Sequence, residues 1–178
     1  MKKWLSLALL SLALVPISIG SAATDTLRPF VRGSWKDIRA AHARQPTVVH
    51  FWGLTCGPCR VEMPAWGKLL QQRTDLNLVV INADLVPNEP DAVSATLAQA
   101  GLAAAENWTF GDGFVERLRY EIDPHWQGDI PRTLLIAADG TTTVIEGVAD
   151  LDDVQAWLDR QVHSSQESKA HSSKAHSK

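Results

Sequence analysis

Cysteine occurs twice in this 178-residue chain, and both copies fall in one tetrapeptide, Cys56-Gly57-Pro58-Cys59. Directly ahead lies the apolar run Thr47-Val48-Val49-His50-Phe51-Trp52, and directly behind begins a helical pattern. A buried strand that passes into a helix through such a loop reads as a dithiol/disulfide redox site. Half of a zinc site has the same spacing, but no second cysteine pair exists to complete one. The placement also has a mechanical use. Cys56 falls at the helix N-terminus, where unpaired N–H groups and the positive end of the macrodipole favour a thiolate over a thiol. Cys56 is therefore expected to attack, and Cys59, one turn along and facing inward, to resolve the mixed disulfide. Pro58 lacks an N–H that a first helical turn leaves unpaired anyway, so it stiffens the loop without losing a helix bond.

Redox chemistry depends on compartment, and residues 1–23 read as an export signal. Lys2 and Lys3 precede the apolar stretch Leu5 to Ile19, which ends in Gly20-Ser21-Ala22-Ala23, with cleavage expected after Ala22 or Ala23. An uncleaved membrane anchor is the alternative, since Trp4 to Gly20 is nearly long enough to span; Pro16 and the small residues after it argue against that. No cysteine lies in or beside this segment, which excludes a lipoprotein anchor. Either way the catalytic part faces outside the cytoplasm; a bacterial periplasm is the expected location, with a eukaryotic secretory lumen the alternative. The remaining length suits one domain, over residues 24–162. The formal charge of −3 becomes more negative once Lys2 and Lys3 are removed, and no basic stripe appears, so nucleic acid is not an expected partner. With only one close pair of cysteines the chain is not a disulfide-stapled scaffold, and the sulfurs are free for chemistry.

The order of elements alternates. Ser34-Trp35-Lys36-Asp37 resembles a capping box opening a helix to about Ala43, followed by the buried strand Thr47 to Trp52. The next helix runs from Cys59 to about Arg73, with a kink expected at Pro64. Leu76 to Ala83 is a second strand, too uniformly apolar over Leu78-Val79-Val80-Ile81 to be half-exposed. The two strands are expected to be central and parallel, joined as a βαβ unit. Pro90 and Asp91 start a helix that ends at Gly101. Trp108 to Phe110 is a short strand candidate, and Phe114 to Ile122 a short helix. Pro131 to Ala137 and Thr142 to Glu146 flank Asp139-Gly140, which predicts an antiparallel hairpin. Asp150 to Val162 closes the domain with an amphipathic helix carrying Val154, Trp157, Leu158 and Val162 on one face. The fold class is thus α/β, a mixed central sheet flanked by helices with a C-terminal β-hairpin and helix.

Phe51-Trp52, the Cys56-Gly57-Pro58-Cys59 loop, Pro64, and Gly128-Asp129-Ile130-Pro131 ahead of a hairpin and final helix together resemble the thioredoxin superfamily over nearly all of the mature domain. More narrowly, Cys56-Gly57-Pro58-Cys59-Arg60-Val61-Glu62-Met63-Pro64 resembles the TlpA/ResA-like group of exported thiol-disulfide oxidoreductases. The resemblance implies a reductant of extracytoplasmic protein disulfides, such as apocytochrome haem-binding or copper-site cysteines, recharged by a membrane thiol carrier. It also implies that Pro131 is the superfamily's cis-proline, facing the dithiol, with the backbone of Ile130 exposed for a substrate strand. Ile130, Pro131, Gly57, Pro58 and Trp52 form the expected substrate-contact set, although Trp52 and Trp66 also read as core or groove packing. Thr55 stands where thioredoxins carry a Trp, which alters the docking surface rather than the sulfur chemistry. The stretch Leu85 to Gln99 matches the group's central segment only loosely, and no role is transferred to it.

Glu62 and His50 are the candidates for moving protons. Glu62 shares a helical face with Cys59 and matches a glutamate of the group; by spacing alone it could equally be a surface carboxylate. His50 occupies the strand region where thioredoxins bury an acid beneath the second cysteine, and a satisfied core histidine is the preferred reading. No cofactor beyond the redox-active Cys56–Cys59 disulfide is expected, and no metal. The partners are protein thiols and disulfides, with membrane contact only through an uncleaved leader. Residues 163–178 form a Ser/Lys/Ala/His-rich tail expected to be disordered. A weak metal site at His163, His171 and His176 is the alternative there, and a solvated tail is preferred because no ligand geometry is fixed. Two further functions stay open: a copper-binding module using Cys56, Cys59 and a histidine, and a disulfide oxidase or isomerase.

Overall fold

The computed structural model describes residues 27–86 and 88–175. Residues 1–23, read above as an export signal, and His176 lie outside the described residues. In chain order the elements are β1 (Arg28–Phe30), α1 (Ser34–Ala41), β2 (Thr47–Trp52), α2 (Gly57–Gln72), β3 (Asn77–Asn82), α3 (Pro90–Gln99), β4 (Glu106–Phe110), α4 (Val115–Ile122), β5 (Arg132–Ile136), β6 (Thr142–Glu146) and α5 (Leu151–Ala175).

The two uniformly apolar runs take the middle of a six-stranded sheet ordered β1-β4-β3-β2-β5-β6. β2 is buried at every position and pairs in parallel with β3, from Thr47 opposite Asn77 to Trp52 opposite Asn82. Strands buried on both faces need no polar alternation, which is why these runs are continuous. β5 pairs antiparallel with β2 and with β6, completing the hairpin. Because side chains alternate across the sheet, the same strands feed two cores. Val48, Trp52, Leu78 and Val80 join Cys59, Met63, Trp66, Leu97, Trp157 and Leu158 on one face. Val49, Phe51, Val79 and Ile81 join Phe30, Ile38, Leu118 and Trp126 on the other. Helices α2, α3 and α5 therefore cover the first face, and α1 and α4 the second. The close approach of α2 to the end of α3 depends on Gly67, where a Cβ would stand 1.8 Å from the Ala100 carbonyl oxygen.

Several boundaries differ from the sequence reading. Ser34 is not the N-cap of α1: Gly33 holds that position with a left-handed φ of 91°, and the Ser34 hydroxyl instead accepts from the Val31 N–H at 3.0 Å. β1 adds an edge strand parallel to β4, and β4 itself begins at Glu106. α2 starts at Gly57, two residues ahead of the expected Cys59. The largest difference is at the C-terminus, where α5 runs on to Ala175 in place of the expected disordered tail. Val154, Trp157 and Leu158 anchor its first turns in the core, so the costly nucleation step is already made and each further residue only extends an existing helix.

Candidate active site

The site begins where β2 runs out into α2. Cys56 is the N-cap residue of α2, with extended backbone, and its Sγ accepts from the Cys59 N–H at 3.2 Å. One of the donors that a helix start leaves unpaired is thereby aimed at the first sulfur. Pro58 occupies the first turn, where its missing N–H removes no helix bond. The two sulfurs form a disulfide with Cα atoms 5.3 Å apart. They differ in access: Cys56 is half-buried beside exposed Gly57 and Pro58, whereas Cys59 is fully buried against Trp52, Met63 and Trp66. The first sulfur can meet another molecule and the second cannot.

Asp84, just past the end of β3, fixes the loop that presents Cys56. Its carboxylate is buried and accepts from the Leu54 N–H at 2.6 Å, the Thr55 hydroxyl at 2.9 Å, and the side-chain amides of Asn82 and Asn88 at 3.2 and 2.6 Å. Gly53 makes room for it, since a Cβ there would lie 2.3 Å from Asp84 Oδ1 and 2.8 Å from Ile130 Cδ1. Sequence reasoning missed Asp84. The signal that could have found it is the C-terminal end of a central parallel strand, where α/β sheets gather their sites. Asp84→Ala should leave these donors without their acceptor and lower stability by about 2 kcal/mol, measured by urea unfolding at neutral pH, with the Cys56 loop the first segment to lose amide protection in hydrogen exchange.

Opposite the dithiol, the Ile130–Pro131 peptide is cis, as the resemblance implies. The Ile130 carbonyl oxygen lies 3.6 Å from Cys56 Sγ. The loop carrying it is tied down from several directions. The Trp126 indole donates to the Asp129 carbonyl at 3.0 Å, the Arg119 guanidinium to the Gln127 carbonyl at 3.1 Å, and the Gly147 N–H to the Pro131 carbonyl at 2.9 Å. Buried Arg132 adds ion pairs to Asp123 and Glu146.

One turn along α2 from Cys59, Glu62 comes together with His50 of β2. Glu62 is buried, not on the helix surface, with 7% of its area exposed. Its Oε2 accepts from the Ala149 N–H at 3.1 Å, and its Oε1 lies 3.5 Å from His50 Nε2. Burial raises its pKa above the ordinary carboxylate value, opposed by the Ala149 N–H and by the Trp66 indole. His50 is fully buried, with Nδ1 3.0 Å from the Thr133 hydroxyl and its ring centroid 5.0 Å from that of Trp66, the planes tilted by 35°. Burial without a strong countercharge holds its pKa down to about 3, so it is neutral at physiological pH. Nδ1 is the ring nitrogen with a hydrogen-bond partner, the Thr133 hydroxyl; Nε2 faces Glu62 Oε1 at 3.5 Å without a hydrogen bond, and both of those atoms are buried and unpaired.

The remaining expected site residues divide clearly. Ile130, Gly57 and Pro58 surround Cys56 at the surface, and Pro131 is buried behind Ile130. Trp52 is a correction: with none of its surface exposed it packs beneath the site with Cys59 and offers no face to a substrate. Position 52 is the last residue of a fully buried central strand, and burial overrides the groove reading. Thr55 is exposed and turns its hydroxyl to Asp84. His163 is exposed on α5. Among the described residues no group of three or more His, Cys, Asp or Glu side chains is gathered as a metal site, and no helix is long and apolar enough to cross a membrane.

Residues 31–97, which include the dithiol and α2, match the family model described as Thioredoxin. No curated protein matches the chain. Among solved structures it is similar to a secreted Mycobacterium tuberculosis disulfide oxidoreductase homologous to Escherichia coli DsbE, with a TM-score of 0.55 and 20% identity over 68% of this chain and 85% of that one. StoA from Bacillus subtilis gives a TM-score of 0.51 and 19% identity over 65% and 83% of the two chains. A thioredoxin-related protein from Neisseria meningitidis serogroup B gives 0.53 and 22% over 66% and 85%. At these identities the likenesses establish the fold.

Proposed function

We propose that this thioredoxin-family domain is an exported protein-disulfide reductase of the TlpA/ResA-like kind. The observation that carries the reading is the asymmetry of the dithiol, with Cys56 half-exposed at the α2 N-terminus and Cys59 sealed in the core. In the reduced protein the Cys59 N–H that now meets Cys56 Sγ would stabilise a Cys56 thiolate. That thiolate attacks one sulfur of a substrate disulfide, and the other sulfur leaves as a thiolate. Cys59, once deprotonated, attacks Cys56 Sγ and expels the remaining substrate sulfur. The substrate gains two electrons and the protein is left as the disulfide described above. Glu62, one turn along α2 with its pKa raised by burial, is the base for Cys59. Ile130 supplies backbone for an extended substrate.

Export is supported by the residue pattern of the leader, and the direction of electron flow by the Gly57-Pro58 linker and the TlpA/ResA-like motif. The protein substrates are extracytoplasmic disulfides, apocytochrome or copper-site cysteines being the kinds the motif implies, and a membrane thiol carrier is the electron donor. A glutathione redox titration tests the direction. The couple is expected nearer to about −270 mV, as in thioredoxin, than to about −120 mV, as in a strong oxidant; a potential above about −180 mV would assign an oxidase instead.

A further inference from the structure

The dithiol opens onto a groove of about 530 Å³ lined by Cys56, Thr55, Leu85, Val86, Gly128 and Ile130. Its outer lip is apolar and bare. Leu85 is 62% exposed and Val86 73%, both in the loop that leaves β3. Single exposed aliphatic residues are unremarkable on any surface, but adjacent ones in a cleft beside a reactive group point to recognition. Asp84 brings the one charge among the described lining residues, and its carboxylate is already engaged by Leu54, Thr55, Asn82 and Asn88. The groove therefore offers an incoming chain apolar contact rather than an ion pair.

The sulfur chemistry settles what enters it. A disulfide attacked by Cys56 brings its polypeptide past the Ile130 carbonyl, 3.6 Å from Cys56 Sγ, so residues flanking the attacked half-cystine lie along this groove. We propose that Leu85 and Val86 select polypeptide disulfides with a bulky apolar residue within about three positions of that half-cystine, roughly 10 Å of extended chain. This rests on the reductase reading and specifies the substrate class it acts on.

The test uses peptides with one cysteine held in a mixed disulfide with nitrothiobenzoate, identical except for Leu, Ser or Asp at the flanking positions. Reduced Cys56 attacks the peptide sulfur and expels coloured nitrothiobenzoate; Cys59 then displaces the peptide thiolate, leaving the protein oxidised by two electrons. Single-turnover rates at subsaturating peptide should favour Leu over Ser by about tenfold, the factor that partial burial of one large aliphatic side chain supplies. In L85S/V86S that ratio should fall to about one, and L85K/V86K should turn the preference towards the Asp peptide. Equal rates for Leu and Ser peptides with the wild-type protein would overturn the proposal while leaving the reductase reading intact, and this comparison needs no variant to fold. A preference that survives in folded L85S/V86S would overturn it too, as would a wild-type dimer lost in that variant, which would give the lip to a second copy. Absence of nitrothiobenzoate release from every peptide would sink the reductase reading, and this proposal with it.

Discussion

Cys56→Ser should abolish disulfide reduction, a loss of roughly a thousandfold or more, whereas Cys59→Ser should still attack and then accumulate as a mixed disulfide with its substrate. The difference comes from access and from the helix start. Cys56 is half-buried and receives the Cys59 N–H, while Cys59 has no exposed surface. Without Cys59 no internal sulfur can release the partner, because the chain has no other cysteine. Alkylation of the reduced wild-type protein separates the roles directly: Cys56 should react first near neutral pH, and Cys59 only when the protein unfolds. Faster labelling of Cys59 would reverse the assignment. Non-reducing gels of Cys59→Ser, incubated with a disulfide-bonded protein, should show a covalent adduct that dithiothreitol dissolves. If Cys56→Ser forms such adducts instead, the buried sulfur is the nucleophile and the described geometry is not the reactive one.

What could be read in the sequence was local. The redox loop, the two central strands and the hairpin each announce themselves within a short window, through Cys-x-x-Cys spacing, unbroken apolar runs and Asp139-Gly140. Pro131 was readable only through the family motif, since nothing local distinguishes a cis from a trans proline. The features that escaped depend on partners far along the chain. Asp84 meets Leu54 and Thr55 across thirty or so residues, Glu62 meets Ala149, and β1 is three residues long and defined only by its pairing with β4. Ser34 misled for a related reason: a hydroxyl followed by an acidic residue fits a capping box, but Gly33, with its positive φ, takes the cap. Trp52 was misplaced because aromatic residues next to a site suit either a groove or a core, and only the sheet around β2 decides.

Glu62→Gln should slow release of the reduced substrate by about a hundredfold, the low end of what a positioned base contributes. Its rate should also lose the inflection that Glu62 gives the wild-type profile above the ordinary carboxylate range. The raised pKa has burial as its main cause, and a carboxylate shifted towards neutrality is a better match for a thiol proton. His50→Asn should act chiefly on stability, since the ring is fully buried between Trp66 and Thr133. The pH dependence gives that variant a signature. In the unfolded chain His50 takes up a proton below about pH 6.5, whereas in the folded protein it stays neutral down to about 3. Between those values the unfolded state holds the extra proton, so this residue's contribution falls as the solution is acidified, by up to about 1.4 kcal/mol per pH unit. The raised pKa of Glu62 works in the opposite direction, its favourable contribution being present at low pH and lost as pH rises through the folded value. Replacing His50 should therefore remove an acid-dependent loss of stability, so the variant's deficit against wild type narrows from pH 7 to pH 4.5 in urea unfolding. Because His50 Nε2 is 3.5 Å from Glu62 Oε1, the same variant should also move the midpoint of the kinetic profile without slowing its plateau greatly. Stopped-flow exchange across pH for both variants decides between them: an unaltered profile in Glu62→Gln beside a large change in His50→Asn would make the histidine, not the glutamate, the group that takes the Cys59 proton.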